Sequence, residues 1–372
     1  MFKSIQIILI LLIAANYAYC TEREIIYGFD AEFPPFSFME NGKPTGFDIE
    51  ILQTIFENSD VNLVLIPKQW AEVQKCLKDG TIHLTSGMAK TSDREEIFDF
   101  SDQPLSALTV KMFVRDNSLA NNMELLKTSK VSTQKGSWYQ TVLEDAGMTN
   151  IKLYKTEFEA LEAVSDGEVE AFGGAAETAY YNLSKNNLSG IHAFGTPLKR
   201  TSIYFVIRKD DLELQRLINS GLEEIIQNGK YYEIYRKWFV EKLSEDEIDA
   251  LISSARDASV YAYAPYSNYY VGAAVLTKSG YIYTGCNIEN ALFGLTVSAI
   301  KVALYKAISE GDTEIKAIAN FLMDGSIGAP TAGERQIIYE FGRDIQILMG
   351  DNEGNYRLHL ISELLPYPFE LE

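Results

Sequence analysis

Glu24-Ile25-Ile26-Tyr27-Gly28-Phe29, then Gly46-Phe47-Asp48-Ile49-Glu50, then Asn62-Leu63-Val64-Leu65-Ile66 decide the fold class of the larger part of this chain. The first and third runs are short, apolar and rich in β-formers, so each reads as a strand. The second opens a helix reaching Ile55, and Trp70 to Lys78 reads as another. Strands alternating with helices predict a parallel α/β architecture. Outward from there the rhythm continues through Lys130–Thr133, a helix from Trp138, Asn150–Tyr154 and a helix over Glu157–Ser165. A helix-rich aromatic stretch, Leu212 to Phe239, closes this part.

Leu243-Ser244-Glu245-Asp246-Glu247 carries a helix-cap pattern and marks a boundary. Beyond it the texture changes. A helix over Glu245–Ala258 precedes a turn at Ala264-Pro265-Tyr266-Ser267, and two strands are expected on either side of Lys278-Ser279-Gly280. A long helix from Leu295 to Ser309 and a strand over Ile315–Leu322 follow. The expected organisation is a leader at 1–20, a first domain at 21–242 and a second at 243–372.

The chain has 372 residues, 47% hydrophobic and 23% charged, which is ordinary globular composition with mass for more than one core. A formal net charge of -19 with no basic tract argues against a nucleic-acid or anionic-membrane partner. Lys3, the apolar run Ile5–Ala15 and the site Ala18-Tyr19-Cys20 read as an export signal, so a periplasmic or extracellular location is expected. Lipidation of Cys20 is the alternative to plain cleavage there. Cys76 and Cys286 fall in different domains, so no intradomain disulfide is expected. His83, His192 and His359 lie far apart and form no local metal-ligand motif, and no cofactor is expected.

Asp30-Ala31-Glu32-Phe33-Pro34-Pro35-Phe36, the Gly46–Glu50 run, Ser86-Gly87-Met88 followed by Thr91-Ser92-Asp93-Arg94, Phe100-Ser101 and Gly136-Ser137 occur in order. As a set they resemble the extracellular solute-binding proteins of family 3, the polar amino-acid receptors of ABC importers. The resemblance implies a type II periplasmic-binding-protein fold, with two α/β lobes joined by crossovers near 112–116 and 196–202. Lobe 1 would comprise about 23–113 and 200–242 and lobe 2 about 114–199, with a small polar ligand held between them for an ABC permease.

The residues suit that role. A carboxylate buried between lobes needs a charge-assisted partner, preferably bidentate, and Arg94 supplies one. Gly87 admits the backbone, Ser86 belongs to the same run, and Ser137 stands where a helix start would donate to the anion. Phe33 and Trp70 match the aromatic positions that sandwich the ligand, and Asp30 a position that contacts ligand side chains. Each has a plainer alternative: Arg94 as a surface partner of Asp93 or Glu95, the aromatics as core. Two departures stand out. The family's acid for the ligand's α-ammonium falls at Ala175, with Glu177 nearby but out of register, and a hydroxyl donor falls at Ala89.

Ala264-Pro265-Tyr266-Ser267-Asn268-Tyr269, Val271-Gly272-Ala273-Ala274, Gly285-Cys286-Asn287-Ile288-Glu289-Asn290, Gly294-Leu295-Thr296, Arg335-Gln336 and Leu364-Leu365-Pro366 resemble homotetrameric cytidine deaminases. A second, deaminase-like α/β/α domain is therefore expected. Zinc deaminases carry H-x-E or C-x-E and later P-C-x-x-C, the Glu moving protons. Here those motifs read Ser298-Ala299-Ile300 and Pro330-Thr331-Ala332-Gly333-Glu334. By that resemblance the zinc ligands fall at Ser298, Thr331 and Glu334, and the catalytic Glu at Ile300. Hydroxyls are poor zinc ligands and Ile300 moves no proton, so neither metal nor catalysis is expected. Tyr269, Asn287 and Glu289 persist at nucleoside-contacting positions, either as a binding site or as inherited scaffold. The expectation is a non-catalytic receptor. Its rivals are a zinc-dependent cytidine deaminase and a nucleoside-binding or homo-oligomerising tail.

Overall fold

The structure is a computed structural model that describes residues 23–118, 122–366 and 368–369. The expected leader, including Lys3 and Cys20, lies outside the described residues. The chain divides into two compact units, the break falling between Trp238 and Phe239.

The first unit is built on a nine-stranded mixed sheet. In one lobe Arg23–Asp30 pairs in parallel with Val61–Lys68 and touches Leu84–Ala89, also in parallel. Its buried run Tyr27 to Asp30 is what a central parallel strand covered on both faces requires. In the other lobe Lys130–Gln134 lies in parallel between Asn150–Tyr154 and Ala171–Ala175. The parallel expectation therefore holds for these central strands of each lobe, while the strands that connect the lobes pair antiparallel. Ser106–Arg115 and the eighteen-residue strand Ile191–Arg208 run antiparallel to each other and carry the chain across. The latter also pairs with Leu84–Ala89, while Ser106–Arg115 pairs with Ala171–Ala175, so two continuous strands serve both lobes. Their ladder breaks register between Phe194 and Lys199, around Gly195 at φ +69°.

Helices lie where the periodicity expects them, with local corrections. The aromatic stretch splits at Gly229 (φ +85°) into Leu212–Gln227 and Lys230–Phe239. Gly221 lets the first of these approach the helix Phe47–Phe56, since a Cβ there would meet the Ile55 side chain at 2.4 Å.

The second unit is a five-stranded sheet in the order Ile282–Cys286, Val271–Thr277, Ile315–Leu322, Gln346–Gly350, Tyr356–Leu360. Only the Ile315–Leu322 and Gln346–Gly350 pair is parallel. The helix Glu245–Ser259 starts in a capping box of Ser244 and Glu247 and covers one face through Leu251, Ile252 and Ala255. Ala299–Ser309 and Ala332–Tyr339 serve the other face through Ile300, Leu304 and Ile338. The helix expected from Leu295 begins only at Ala299. Phe293–Leu295 form a short 3-10 turn, Thr296 is extended, Val297 exchanges two backbone hydrogen bonds with Ile288, and Ser298 takes the N-cap position.

Candidate ligand-binding cleft

The cleft between the lobes is lined by Asp30, Phe33, Trp70, Gly87, Ala89 and Arg94 on one side and by Gln134, Ser137, Trp138 and Tyr139 on the other. It holds a cavity of about 30 Å³, room for about two waters at ~10–15 Å³ each, so the lobes stand nearly shut. Among the described residues, three side-chain hydrogen bonds outside the crossover strands join them. Gln134 donates to Asp30 (3.1 Å), Gln74 to the Gly136 carbonyl (3.2 Å) and Lys185 to Glu40 (2.8 Å). A larger open depression around Lys78, Asp79, Arg208 and Lys209 lies elsewhere, but Lys209 is bound to Asp99 and Arg208 to Asp211.

Arg94 sits in the single helical turn Ser92–Glu95 just after the strand Leu84–Ala89. Its guanidinium donates to the Ala89 carbonyl (2.9 Å), and burial lowers its pKa. It forms no ion pair among the described residues; the neighbouring Glu95 pairs with Lys90 instead. Asp30 ends the central strand at 5% exposure, accepting the Glu32 amide (3.1 Å) beside the Gln134 bond. Burial outweighs these hydrogen bonds and raises its carboxyl to about 6.

Phe33 stacks on Phe36 with ring centroids 4.7 Å apart, and Trp70 packs into the lobe core while still reaching the cleft. Gly87 has φ +76°, and a Cβ there would lie 3.1 Å from the Phe33 ring. Ser137 lines the cleft, but its hydroxyl donates to the Gln134 carbonyl (2.7 Å). Ser86 does not line it. Strand alternation places Gly87 and Ala89 on one face and Ser86 on the other. There the Ser86 hydroxyl donates to Asp48 (2.5 Å) and lies 2.5 Å from the Tyr27 hydroxyl. Burial lifts the Asp48 carboxyl to about 7.

Sequence reasoning passed over Gln134, Trp138 and Tyr139. They flank Gly136-Ser137, and two consecutive aromatics after such a turn were the available signal.

In the second unit Thr331 caps the helix Ala332–Tyr339, and the Glu334 carboxylate accepts from both the Thr331 amide and hydroxyl (2.7 Å each). Ser298 caps Ala299–Ser309 without a side-chain bond, and Ile300 is 1% exposed in the core. The Asn287 side chain accepts the Val271 amide (2.9 Å) and donates to the Tyr269 carbonyl (2.8 Å). Glu289 accepts from the Tyr266 and Ser267 amides (2.9 and 3.2 Å), while the Tyr269 ring is exposed. Among the described residues no cluster of three His, Cys, Asp or Glu side chains is placed to hold a metal ion.

The profile of the bacterial extracellular solute-binding proteins, family 3, matches residues 25–241, more than half of the chain. The chain belongs to that family. Its first unit is 26% identical to the probable amino-acid-binding protein YxeM of Bacillus subtilis, over 57% of this chain and 83% of that protein. It also resembles the arginine-, lysine-, histidine-binding protein ArtJ of Geobacillus stearothermophilus at 27% identity and a TM-score of 0.55, covering 60% of this chain and 98% of ArtJ. The profile of the cytidine and deoxycytidylate deaminase zinc-binding region matches residues 210–327. A cytidine deaminase of Halalkalibacterium halodurans is 42% identical over 33% of this chain and 93% of its own length. The second unit is thus cytidine deaminase-like. The two profiles overlap at 210–241, where the helix Leu212–Gln227 packs on Phe47–Phe56 of the solute-binding unit. No helix among the described residues is long and apolar enough to cross a membrane.

Proposed function

We propose that this family 3 protein is an extracytoplasmic receptor that captures a free amino acid between its lobes for ABC-type uptake or sensing. The observation that carries the reading is Arg94, a guanidinium facing a nearly shut cleft with no carboxylate partner among the described residues. An unpaired cation in such a place is costly, and a ligand carboxylate in bidentate contact removes the cost. Phe33 and Trp70 supply apolar faces for the ligand body and Asp30 a polar contact. The ligand enters when the lobes part along Ser106–Arg115 and Ile191–Arg208, and its contacts with both lobes favour closure.

Thermal shift against the common L-amino acids tests this, because a ligand bound only by the native state raises its stability. Arg94→Ala should abolish the shift; an undiminished shift in that variant refutes the role of Arg94.

We propose further that the deaminase-like unit does not deaminate. Two neutral hydroxyls and one carboxylate are a poor zinc donor set, and Glu334 spends its carboxylate on the Thr331 cap. Ile300 offers no proton shuttle. Asn287 and Glu289 satisfy their own loop, which favours scaffold over nucleoside recognition. Zinc analysis and a cytidine-to-uridine assay test the reading, and stoichiometric metal or turnover overturns it. This unit also exposes Tyr261 (80%), Leu292 (68%), Phe293 (79%) and Leu295 (61%), which favours association between copies. Light scattering on a chain ended at residue 243 should show fewer copies per particle than the full chain, and an unchanged copy number removes the idea.

A further inference from the structure

Glu157 opens the helix Glu157–Ser165, is 1% exposed, and among the described residues has no hydrogen-bond partner on either carboxylate oxygen. Buried carboxylates are ordinarily paired or bonded, because losing water without compensation is expensive. Its charged surroundings repel rather than compensate, since Asp30 and Glu177 are both close enough to raise its pKa. Burial raises it most, and the Tyr139 hydroxyl and Ala175 amide, near but short of hydrogen-bond geometry, offset only part.

An acid in a first helical turn often serves the helix field alone. That role needs no burial, and Glu159 in the same turn fills it while exposed to solvent, accepting the Lys155 amide (3.0 Å). Thr156 already caps the helix through the Glu159 amide.

The position of Glu157 suggests what it awaits. Its neighbours Tyr139 and Asp30 both line the cleft, and its helix approaches the strand Glu32–Phe33 of the opposite lobe. Beside it Ala175, fully buried, carries a methyl where the family resemblance expects the acid for the ligand's ammonium.

We propose that Glu157 receives the α-ammonium of the bound amino acid in place of the acid absent at Ala175, and that with Asp30 it selects a ligand carrying a second cationic group. This rests on the amino-acid reading above. The charge count supports it. Arg94 contributes one positive group and Glu157 and Asp30 two negative ones, which one carboxylate and two cations balance. Glu177, which accepts the Thr109 amide, and Lys111, buried on that same strand, are one acid and one base and leave the count unchanged. Trp70 and Trp138 line the same cleft, and aromatic rings there suit a cationic ligand.

Calorimetric titration of the full chain with L-arginine and with 5-guanidinopentanoate, which lacks only the α-ammonium, tests the assignment in the parent and in Glu157→Gln. The parent should bind L-arginine. Glu157→Gln should weaken L-arginine at least tenfold while leaving 5-guanidinopentanoate within twofold, an analogue effect that a purely structural residue would not produce. Equal weakening of both compounds overturns the role of Glu157. A parent that binds L-glutamine but not L-arginine, L-lysine or L-histidine overturns the cationic selection. A parent that binds no amino acid overturns the underlying reading, and this proposal with it. Should Glu157→Gln fail to fold, Glu157→Asp, which keeps the charge but shortens its reach, takes its place in both titrations. Arrival of an ammonium favours the ionised form of Glu157, so L-arginine binding should release more protons in the parent than in Glu157→Gln, read from binding heats in buffers of different ionisation heat; equal release from the two overturns the role of Glu157.

Discussion

Asp30 makes the stability of the ligand-free receptor fall as the pH rises. Its carboxyl titrates near 3.8 when unconstrained and at about 6 in the folded chain, because burial penalises the charged form. The folded state therefore holds the proton more tightly than the unfolded one. Stability from this group is complete below about pH 4 and is lost as the pH climbs through 6. Roughly two pKa units at about 1.36 kcal/mol each give about 3 kcal/mol in full, of which about 2 kcal/mol disappears between pH 4 and pH 7. Asp30→Asn removes the titration and keeps one acceptor oxygen for the Glu32 amide; its amide nitrogen replaces the oxygen that Gln134 bonds, a loss that does not vary with pH and so shifts the variant curve without tilting it. Thermal melts of parent and variant from pH 4 to pH 8 should diverge, the parent losing about 4–8 °C relative to the variant at ~2–4 °C per kcal/mol for a unit of this size. Asp48, raised to about 7, has the same sign but is common to both proteins and cancels in the difference. Parallel melting curves across that range would refute the idea that a buried, titrating Asp30 faces the cleft.

Two further outcomes follow from the packing. Gly87→Ala forces a side chain into a left-handed backbone and against the Phe33 ring at 3.1 Å, at a cost of about 1–2 kcal/mol. Its melting temperature should drop by a few degrees and amino-acid affinity by about tenfold or more, both measurable in one titration series. Restoring the lost acid by Ile300→Glu places an unpaired carboxylate at a core position 1% exposed. It should destabilise the deaminase-like unit by about 3–5 kcal/mol, visible as an early calorimetric transition with the other transition unmoved; a stable, zinc-binding variant contradicts the core placement.

Much of the solute-binding unit was legible because its strands and helices announce themselves by period. Glu157–Ser165 and Asn150–Tyr154 appear with the expected bounds. The antiparallel crossovers were harder, since a long strand such as Ile191–Arg208 serves two lobes with different neighbours and shows no single alternation. The approach of Asp30, Arg94 and Ser137 to one cleft was expected from ordered motifs rather than from any local property. Ser86 shows the limit of motif reading, although the two-residue period of its strand was enough to separate it from Gly87 and Ala89. Glu157 was invisible as a site residue. An acid at a helix start is commonplace in sequence, and only burial without a partner distinguishes it.

The three bonds that close the cleft differ in what they contribute, and this decides how the lobes respond to ligand. Lys185 and Glu40 are 59% and 41% exposed, a setting in which ion pairs contribute about 0–1 kcal/mol. Gln74 reaches a carbonyl at the solvent-facing rim. Gln134, by contrast, is 3% exposed and bonds a carboxylate that is itself buried, so losing it leaves one Asp30 oxygen without its partner while the other keeps the Glu32 amide. An unsatisfied buried charged acceptor costs roughly 1–3 kcal/mol or more, enough to shift a closed population by about tenfold. Gln134→Ala should therefore open the ligand-free receptor, enlarging its radius of gyration in solution scattering and weakening amino-acid binding by about the same factor. Lys185→Ala should leave both within twofold of the parent. Equal effects from the two variants would mean that closure is governed by the rim and not by the buried bond between Gln134 and Asp30.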